Sequence, residues 1–363
     1  MWEFTTNPDS LISDFNSELN KDITSVGSTK ADYEKICSQF KIFPCPYIHF
    51  IDATCKILNC KIDLSNWRAI LLVCTAVKSE IKEILCHGIK ISKNHVTELC
   101  TALEKASTIH TIKLDYISFE QEEPIDSTIF SPLFSINTGA QYLSLKGNKL
   151  DDNFISNHSK LLAENLNLKA VNFSHNKFTD IGVKELFRII PLNSYIQYLS
   201  IKRNNLSGSC LPDLARMITG REISSEDDQI IKLIAKNLVE RNKSLKDLNK
   251  KRKKSGYPEF IDLIAPTDRV CKIENDSYLL NRSMVEIDLS YNPFDTEFFS
   301  DFIENLKQKE EILKNNKIGP NGLICKLLGL NDECILISKQ YLESEQYNLK
   351  ICTENLPFNE VTN

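Results

Sequence analysis

A chain of 363 residues with 42% apolar and 26% charged residues has enough apolar content to bury a sizeable core, which excludes wholesale disorder. Its net charge of −5 is small for that length, so no global field points to nucleic acid or to a membrane surface, and any basic patch must be local. The start, MWEFTTNPDSLISDF, has neither a basic n-region nor an apolar h-region, and no stretch of about 18 residues is apolar and uncharged, so a cytoplasmic chain is expected.

In chain order, residues 1–83 read as an extended segment and a helical cap. Phe43-Pro-Cys-Pro-Tyr47 cannot be helix interior and should run extended over the surface. The apolar run Trp67–Val77 should be a helix with Ser65 as its N-cap, closing the array that follows.

From residue 84 one phrase recurs. Leu143-Ser-Leu145-Lys-Gly-Asn148-Lys-Leu150, Val171-Asn-Phe173-Ser-His-Asn176-Lys-Phe178 and Leu199-Ser-Ile201-Lys-Arg-Asn204-Asn-Leu206 stand 28 residues apart. Ile287-Asp-Leu289-Ser-Tyr-Asn292-Pro-Phe294 is a fourth copy, Leu313-Lys-Asn-Asn316-Lys-Ile318 a partial one, and Ile89-Lys-Ile91-Ser-Lys-Asn94-His-Val96 an earlier, plainer one. Ile112-Lys-Leu114-Asp-Tyr-Ile117 keeps the apolar spacing without the Asn. Period-two alternation followed by Asn reads as a short strand and a tight turn, with the stacked Asn148, Asn176 and Asn204 amides satisfying buried backbone groups. A helical stretch such as Thr179–Ile190 follows each turn.

Two segments interrupt the repeats. Glu120-Gln-Glu-Glu123-Pro124 is expected to project as a polar loop. Residues 219–283 open with Ser224 capping an amphipathic helix that has an acidic first turn, and Arg269–Leu280 should form a hairpin turning at Asn275-Asp276. Between them, residues 241–254 hold eight Lys or Arg against one Asp and end in Lys250, Lys251, Arg252, Lys253 and Lys254. That run reads as a solvated helix end, as a contact for an acidic surface, or as a nuclear-import signal.

The 28-residue period, with a full helix in each unit, resembles the ribonuclease-inhibitor-like leucine-rich repeats, as does Asn316-Lys-Ile318-Gly319-Pro-Asn-Gly322, which looks like the turn into a convex helix. The resemblance implies an α/β solenoid, a horseshoe with a parallel concave sheet and convex helices. Repeats are placed at 84–218 and 284–330, flanking a charged helical insertion at 219–283, with a C-terminal cap and tail at 331–363. The lysine-rich insertion, the Phe260–Pro266 segment and the repeat resumed at Met284 follow in an order that resembles the leucine-rich-repeat-containing protein 71 family. That narrower resemblance implies a non-enzymatic protein of motile cilia, held in a multi-subunit axonemal assembly.

Chemistry is harder to find. Eleven glycines make no GxGxxG or GxxxxGK[ST], and six histidines never fall in HxxxH or HxH spacing. Twelve cysteines lie scattered with no CxxC pair, which fits small buried thiols better than disulfides or zinc. No catalytic residue, cofactor, metal, nucleic acid, membrane or small-molecule substrate is expected. A GTPase activator and a ubiquitin-ligase adaptor are the alternatives, but the chain shows neither an acidic tail for the first nor a ligase-binding helix bundle for the second. A protein partner is expected on the concave face, where strand alternation places Lys90, Lys113, Tyr142, Lys146, Asn172, His175, Tyr198, Lys202, Arg203 and Tyr291, with Asp288 beside them.

Overall fold

The computed structural model describes residues 29–75, 81–106, 108–119, 126–135, 138–193, 195–254, 270–273, 276–279, 283–315, 323–342 and 349–352. The chain divides into two bodies, residues 1–148 and 149–363.

In the first body the elements run α1 (Thr29–Gln39), β1 (Ile48–Ile51), β2 (Thr54–Leu58), α2 (Leu64–Thr75), β3 (Glu83–His87), β4 (Lys90–Ile91), α3 (Lys93–Lys105), β5 (Thr111–Asp115), β6 (Ser118–Phe119), a 3-10 helix (Ser127–Phe134) and β7 (Tyr142–Ser144). β1 and β2 form an antiparallel hairpin, and β2, β3, β5 and β7 then pair in parallel. Cys55, Ile84, Ile112 and Leu143 stand in register across these four strands, and all are buried. Helices cover that apolar side. Trp67 of α2 is fully buried, and its indole N–H donates to the His95 carbonyl of α3 at 2.9 Å.

In the second body α4 (Asp152–Glu164), β8 (Ala170–Asn172), α5 (Asp180–Ile189), β9 (Tyr198–Ser200), α6 (Leu211–Thr219), β10 (Arg221–Glu222), α7 (Ser225–Lys254), β11 (Val270–Ile273), β12 (Asp276–Leu279), β13 (Glu286–Asp288), α8 (Thr296–Asn315), β14 (Leu323–Lys326), α9 (Asp332–Leu342) and β15 (Leu349–Cys352) follow. β8, β9, β13, β14 and β15 pair in parallel, with Val171, Leu199, Ile287, Cys325 and Ile351 in register and buried. β9 thus pairs directly with β13, and the chain between them makes its own antiparallel sheet, β10-β12-β11. Phe173 packs edge-on against Phe154 of α4 and against Phe178, at centroid distances of 5.5 and 5.9 Å.

Three sets of polar side chains tie successive repeats. The first is the expected asparagine ladder. Asn148, Asn176, Asn204 and Asn292 are buried; the Asn148 oxygen accepts from the Ile117 amide at 2.8 Å, the Asn176 oxygen from Leu150 at 3.1 Å and the Asn204 oxygen from Phe178 at 3.1 Å. The second set precedes β8 and β9: Asn165 accepts from the Asn167 and Leu168 amides, and Asn193 accepts from the Tyr195 and Ile196 amides and donates to the Leu162 and Asn165 carbonyls of the preceding repeat. The third joins helix starts, where the Asp180 carboxylate takes the Ser207, Gly208 and Cys210 amides at 2.7, 3.0 and 2.9 Å. Burial alone would raise the Asp180 pKa, but these bonds outweigh it and hold the carboxyl below its usual range.

The turn after each of the strands β2, β3, β5, β7, β8, β9, β13 and β14 has one residue in the left-handed region. Asn59, Gly88, Tyr116, Gly147, His175, Arg203, Tyr291 and Gly329 all have positive φ. Their amides extend the sheet ladder beyond the strands: Tyr116 donates to the Lys146 carbonyl at 2.7 Å, His175 to Lys202 at 2.8 Å and Arg203 to Ser290 at 3.0 Å. At Gly147 and Gly329 a ring of the preceding repeat fills the space a side chain would take, since a Cβ there would run into Tyr116 and Tyr291 respectively.

Several sequence expectations need correcting. The early strand in the main sheet is Glu83–His87 and not Ile89–Asn94. Ser92 caps α3 by accepting the His95 amide at 3.4 Å, so Asn94 falls in the first helical turn and is exposed. Leu313 lies within α8, and the strand is instead Leu323–Lys326, the turn residues 316–322 lying outside the described residues. Ser65 is inside α2. The cap is Asp63, whose carboxylate accepts the Asn66 amide at 2.9 Å and stabilises the positive end of the helix. The β1–β2 hairpin and β15 were not anticipated. The Glu120–Pro124 loop and the Phe260–Pro266 segment lie outside the described residues.

Candidate functional site

One face of each sheet packs on helices, and the strand residues between the buried positions form the other. In the first body this face carries two cation–ring pairs. Lys113 on β5 lies over the Tyr142 ring of β7 at 5.2 Å, and Lys146 lies over Tyr116 at 5.5 Å. The edge of His87 meets Tyr116 with centroids 5.1 Å apart. Asp115 sits among them, accepting from the Ser144 hydroxyl at 2.6 Å and from the Lys146 amide at 3.1 Å. Lys90 does not belong to this group. It is exposed on β4, which pairs with β6 outside the main sheet.

In the second body Lys202 and Arg203 both reach the Tyr291 ring of the following repeat, at 4.7 and 5.0 Å from its centroid. Such contacts are worth about 0.5–1 kcal/mol at exposed sites, enough to bias both side chains toward the ring while leaving their charge available. Tyr291 remains 40% exposed and Tyr198 on β9 45% exposed. Beneath them the Ser174 and Ser200 hydroxyls are 2.8 Å apart, and Lys326 pairs with Glu286 at 2.7 Å. Asn172 is turned toward its own backbone, accepting the Ser174 amide at 3.0 Å, so it shapes the turn. His175 occupies the left-handed position, half-buried.

The basic run ends the 30-residue helix α7, placing Lys250 in solvent; the side chains of Lys251, Arg252, Lys253 and Lys254 lie outside those described. Lysines at a helix C-terminus complement its negative end. The start of α7 is held by a buried ion pair. Arg221 donates to both Asp227 oxygens, at 2.5 and 2.8 Å, and to the Arg188 carbonyl at 3.0 Å, while the Ser224 amide and hydroxyl also bond Asp227.

Sequence reasoning missed Tyr116, His87, Ser174, Ser200 and the Glu286–Lys326 pair. Tyr116 was discoverable, because it stands 28 residues after Gly88 at the position His175, Arg203 and Tyr291 occupy in later repeats. Among the described residues eleven free cysteines are present, nine of them buried, and no group of three or more His, Cys, Asp or Glu side chains is placed to hold a metal ion. No helix among them is long and apolar enough to cross a membrane.

Residues 164–187, covering the end of α4, β8 and most of α5, match a family model described as Leucine Rich repeat, which supports a leucine-rich-repeat family for this chain. No curated protein matches the chain. Repeats of this kind are in general non-enzymatic protein-interaction modules.

Proposed function

We propose that this leucine-rich-repeat chain is a non-enzymatic scaffold that holds an acidic protein surface on the open face of its second sheet. The observation that carries the reading is the Lys202–Tyr291–Arg203 cluster, two cations on one half-exposed ring, with the exposed Tyr198 on β9, the strand that leads into Lys202 and Arg203. Cations of this kind steer an acidic partner, and tyrosines supply contact area with little side-chain entropy to lose. The strands beneath are rigid, so the cluster is preformed.

The place of that scaffold is proposed to be a ciliary axonemal assembly, and the support is the order of segments: repeats, a lysine-rich helix and a resumed repeat. The experiment is proximity labelling from the tagged chain in ciliated cells, with the Lys202→Glu/Arg203→Glu variant alongside. The proposal expects axonemal proteins with acidic surfaces to be labelled by the native chain and lost with the variant. Labelling of small GTPases or of ubiquitin-ligase subunits in place of axonemal proteins overturns the ciliary reading. Equal labelling by the variant overturns the sheet-face reading.

A further inference from the structure

The long helix α7 changes charge halfway along. Its first half, Ser225 to Glu240, holds Glu226, Asp227, Asp228 and Glu240 against Lys232 and Lys236. Those two lysines are matched within the helix, Lys232 by Asp228 at 2.5 Å and Lys236 by Glu240 at 3.9 Å. From Arg241 to Lys254, eight Lys or Arg stand against the single carboxylate of Asp247, a net +7. One carboxylate cannot neutralise eight cations, so this half keeps its charge whatever local pairs it forms.

The basic half also stands clear of the core. α7 packs on α4 and on the 3-10 turn Ile190–Leu192, and Ile234 in its first half is buried. Every described side chain of α7 after Asn237 is exposed, Val239, Lys243 and Lys250 among them. The lysines are also regularly spaced. Positions 243, 246, 250 and 253 are all Lys, three, four and three residues apart, the spacing that keeps successive positions on one face of a helix. The same face runs back through Val239 to Lys236 and Lys232.

Length and charge density set the kind of partner. Residues 241–254 extend about 21 Å at ~1.5 Å per residue, so the net charge repeats about every 3 Å. An extended acidic polypeptide carries one carboxylate per ~3.3 Å, close to that repeat. Duplex DNA carries one phosphate charge per ~1.7 Å, nearly twice as dense. Single-stranded nucleic acid is held by aromatic side chains on which its bases stack, and α7 has no Phe, Tyr or Trp. A helix lying on an anionic membrane needs a broad apolar face, and residues 241–254 offer only Leu245 and Leu248.

We infer that the lysine face at the end of α7 binds a run of carboxylates in an extended acidic segment of a partner protein. This surface shares no residue with the sheet face and does not rest on the reading given to it.

The test uses the full chain and fluorescence anisotropy with a labelled twelve-residue glutamate peptide, read against a serine–glycine peptide of equal length. The native chain should bind the first and not the second. Lys243→Gln/Lys246→Gln/Lys250→Gln should weaken binding about tenfold. Arg241→Gln/Lys251→Gln/Arg252→Gln, which removes the same charge from the other sides of the helix, should weaken it about threefold or less. Circular dichroism should be unchanged in both, because glutamine has nearly the helix propensity of lysine and arginine. Lys202→Glu with Arg203→Glu should leave the binding as it is. Absence of glutamate-peptide binding, equal loss for the two triple variants, or loss with the sheet-face variant overturns the inference. So does a single-stranded RNA, a duplex DNA or an anionic vesicle that binds the chain more tightly than the peptide at equal ionic strength and is released by the Lys243, Lys246 and Lys250 changes.

Discussion

The backbone amide of Asn204 donates to the side-chain oxygen of Asn292 at 2.8 Å, although 88 residues separate them in the chain. The two are rungs of one ladder, and everything between β9 and β13 leaves the sheet and returns to it. A chain with residues 225–280 replaced by a short linker should therefore keep a cooperative thermal transition. Its midpoint should fall, since Ile234 and Leu279 are buried and Asp227 is the ion-pair partner of Arg221. Loss of helical circular dichroism in that chain would show that the segment is part of the core.

Asn204 is bonded on both sides of its amide, donating to Ile201 at 2.8 Å and Phe173 at 3.2 Å while accepting from Phe178. Asn204→Ala takes the acceptor from the Phe178 amide and one of two donors from the Ile201 and Phe173 carbonyls, which keep Asn292 and Asn176, and a buried group left unpaired costs roughly 1–3 kcal/mol. Chemical denaturation should show a loss well beyond that of Asn205→Ala, a change at an exposed neighbour.

Phe173 is fully buried between Phe154 and Phe178. Phe173→Ala should destabilise by about 3–5 kcal/mol, and Phe173→Leu by much less, because the cavity term shrinks with the missing volume. Equal losses for the two variants in urea titrations would mean that ring stacking outweighs volume here.

Stability should fall in acid through one identifiable carboxyl. Burial would raise the Asp227 pKa, but the Arg221 guanidinium and the Ser224 groups outweigh it and lower the value from 3.8 to about 2. A folded pKa below the unfolded one means that the contribution is complete above pH 4 and is lost as pH falls toward 2. Its size is on the order of 2 kcal/mol. Asp227→Asn should flatten the pH dependence of stability between pH 4 and 2, while Arg221→Met should destabilise more at neutral pH by leaving the buried carboxylate without its partner. An unchanged slope for Asp227→Asn would assign acid lability elsewhere.

At Gly147 the φ of +70° and the Tyr116 ring both resist a side chain. Gly147→Ala should destabilise by about 1 kcal/mol or more from backbone conformation alone. Combining it with Tyr116→Ala should recover the steric part and leave the conformational part, a difference that a double-mutant cycle reads directly.

The repeats that sequence reasoning placed are those whose turn is closed by its own asparagine, Asn148, Asn176, Asn204 and Asn292. It misplaced the strand at Glu83–His87 because the turn there runs through Gly88 with no asparagine after it, and Asn94 nearby offered a false substitute. Leu323–Lys326 was missed for the same reason: its turn passes through Gly329. The second polar set was readable, since Asn165-Leu-Asn-Leu168 recurs as Asn193-Ser-Tyr-Ile196 at the same 28-residue period. Tyr198, Lys202, Arg203 and Tyr291 were legible from strand alternation, whereas the convergence of Lys202 and Arg203 on Tyr291 was not. It depends on the pairing of β9 with β13 across the intervening 88 residues, a distance no local pattern encodes.

The left-handed turn position recurs in repeat after repeat, yet its occupant changes from Asn59 and Gly88 to Tyr116, His175, Arg203 and Tyr291. The main chain specifies a conformation there and leaves the side chain unspecified, at a cost of about 1 kcal/mol for each residue other than glycine. Under the proposed function, the contact surface is rewritten one amino acid at a time on an unmoving frame, as letters are changed in a fixed row of type. A combinatorial library confined to positions 175, 203 and 291 would sample new specificities while every member kept the same hydrogen-bonded backbone.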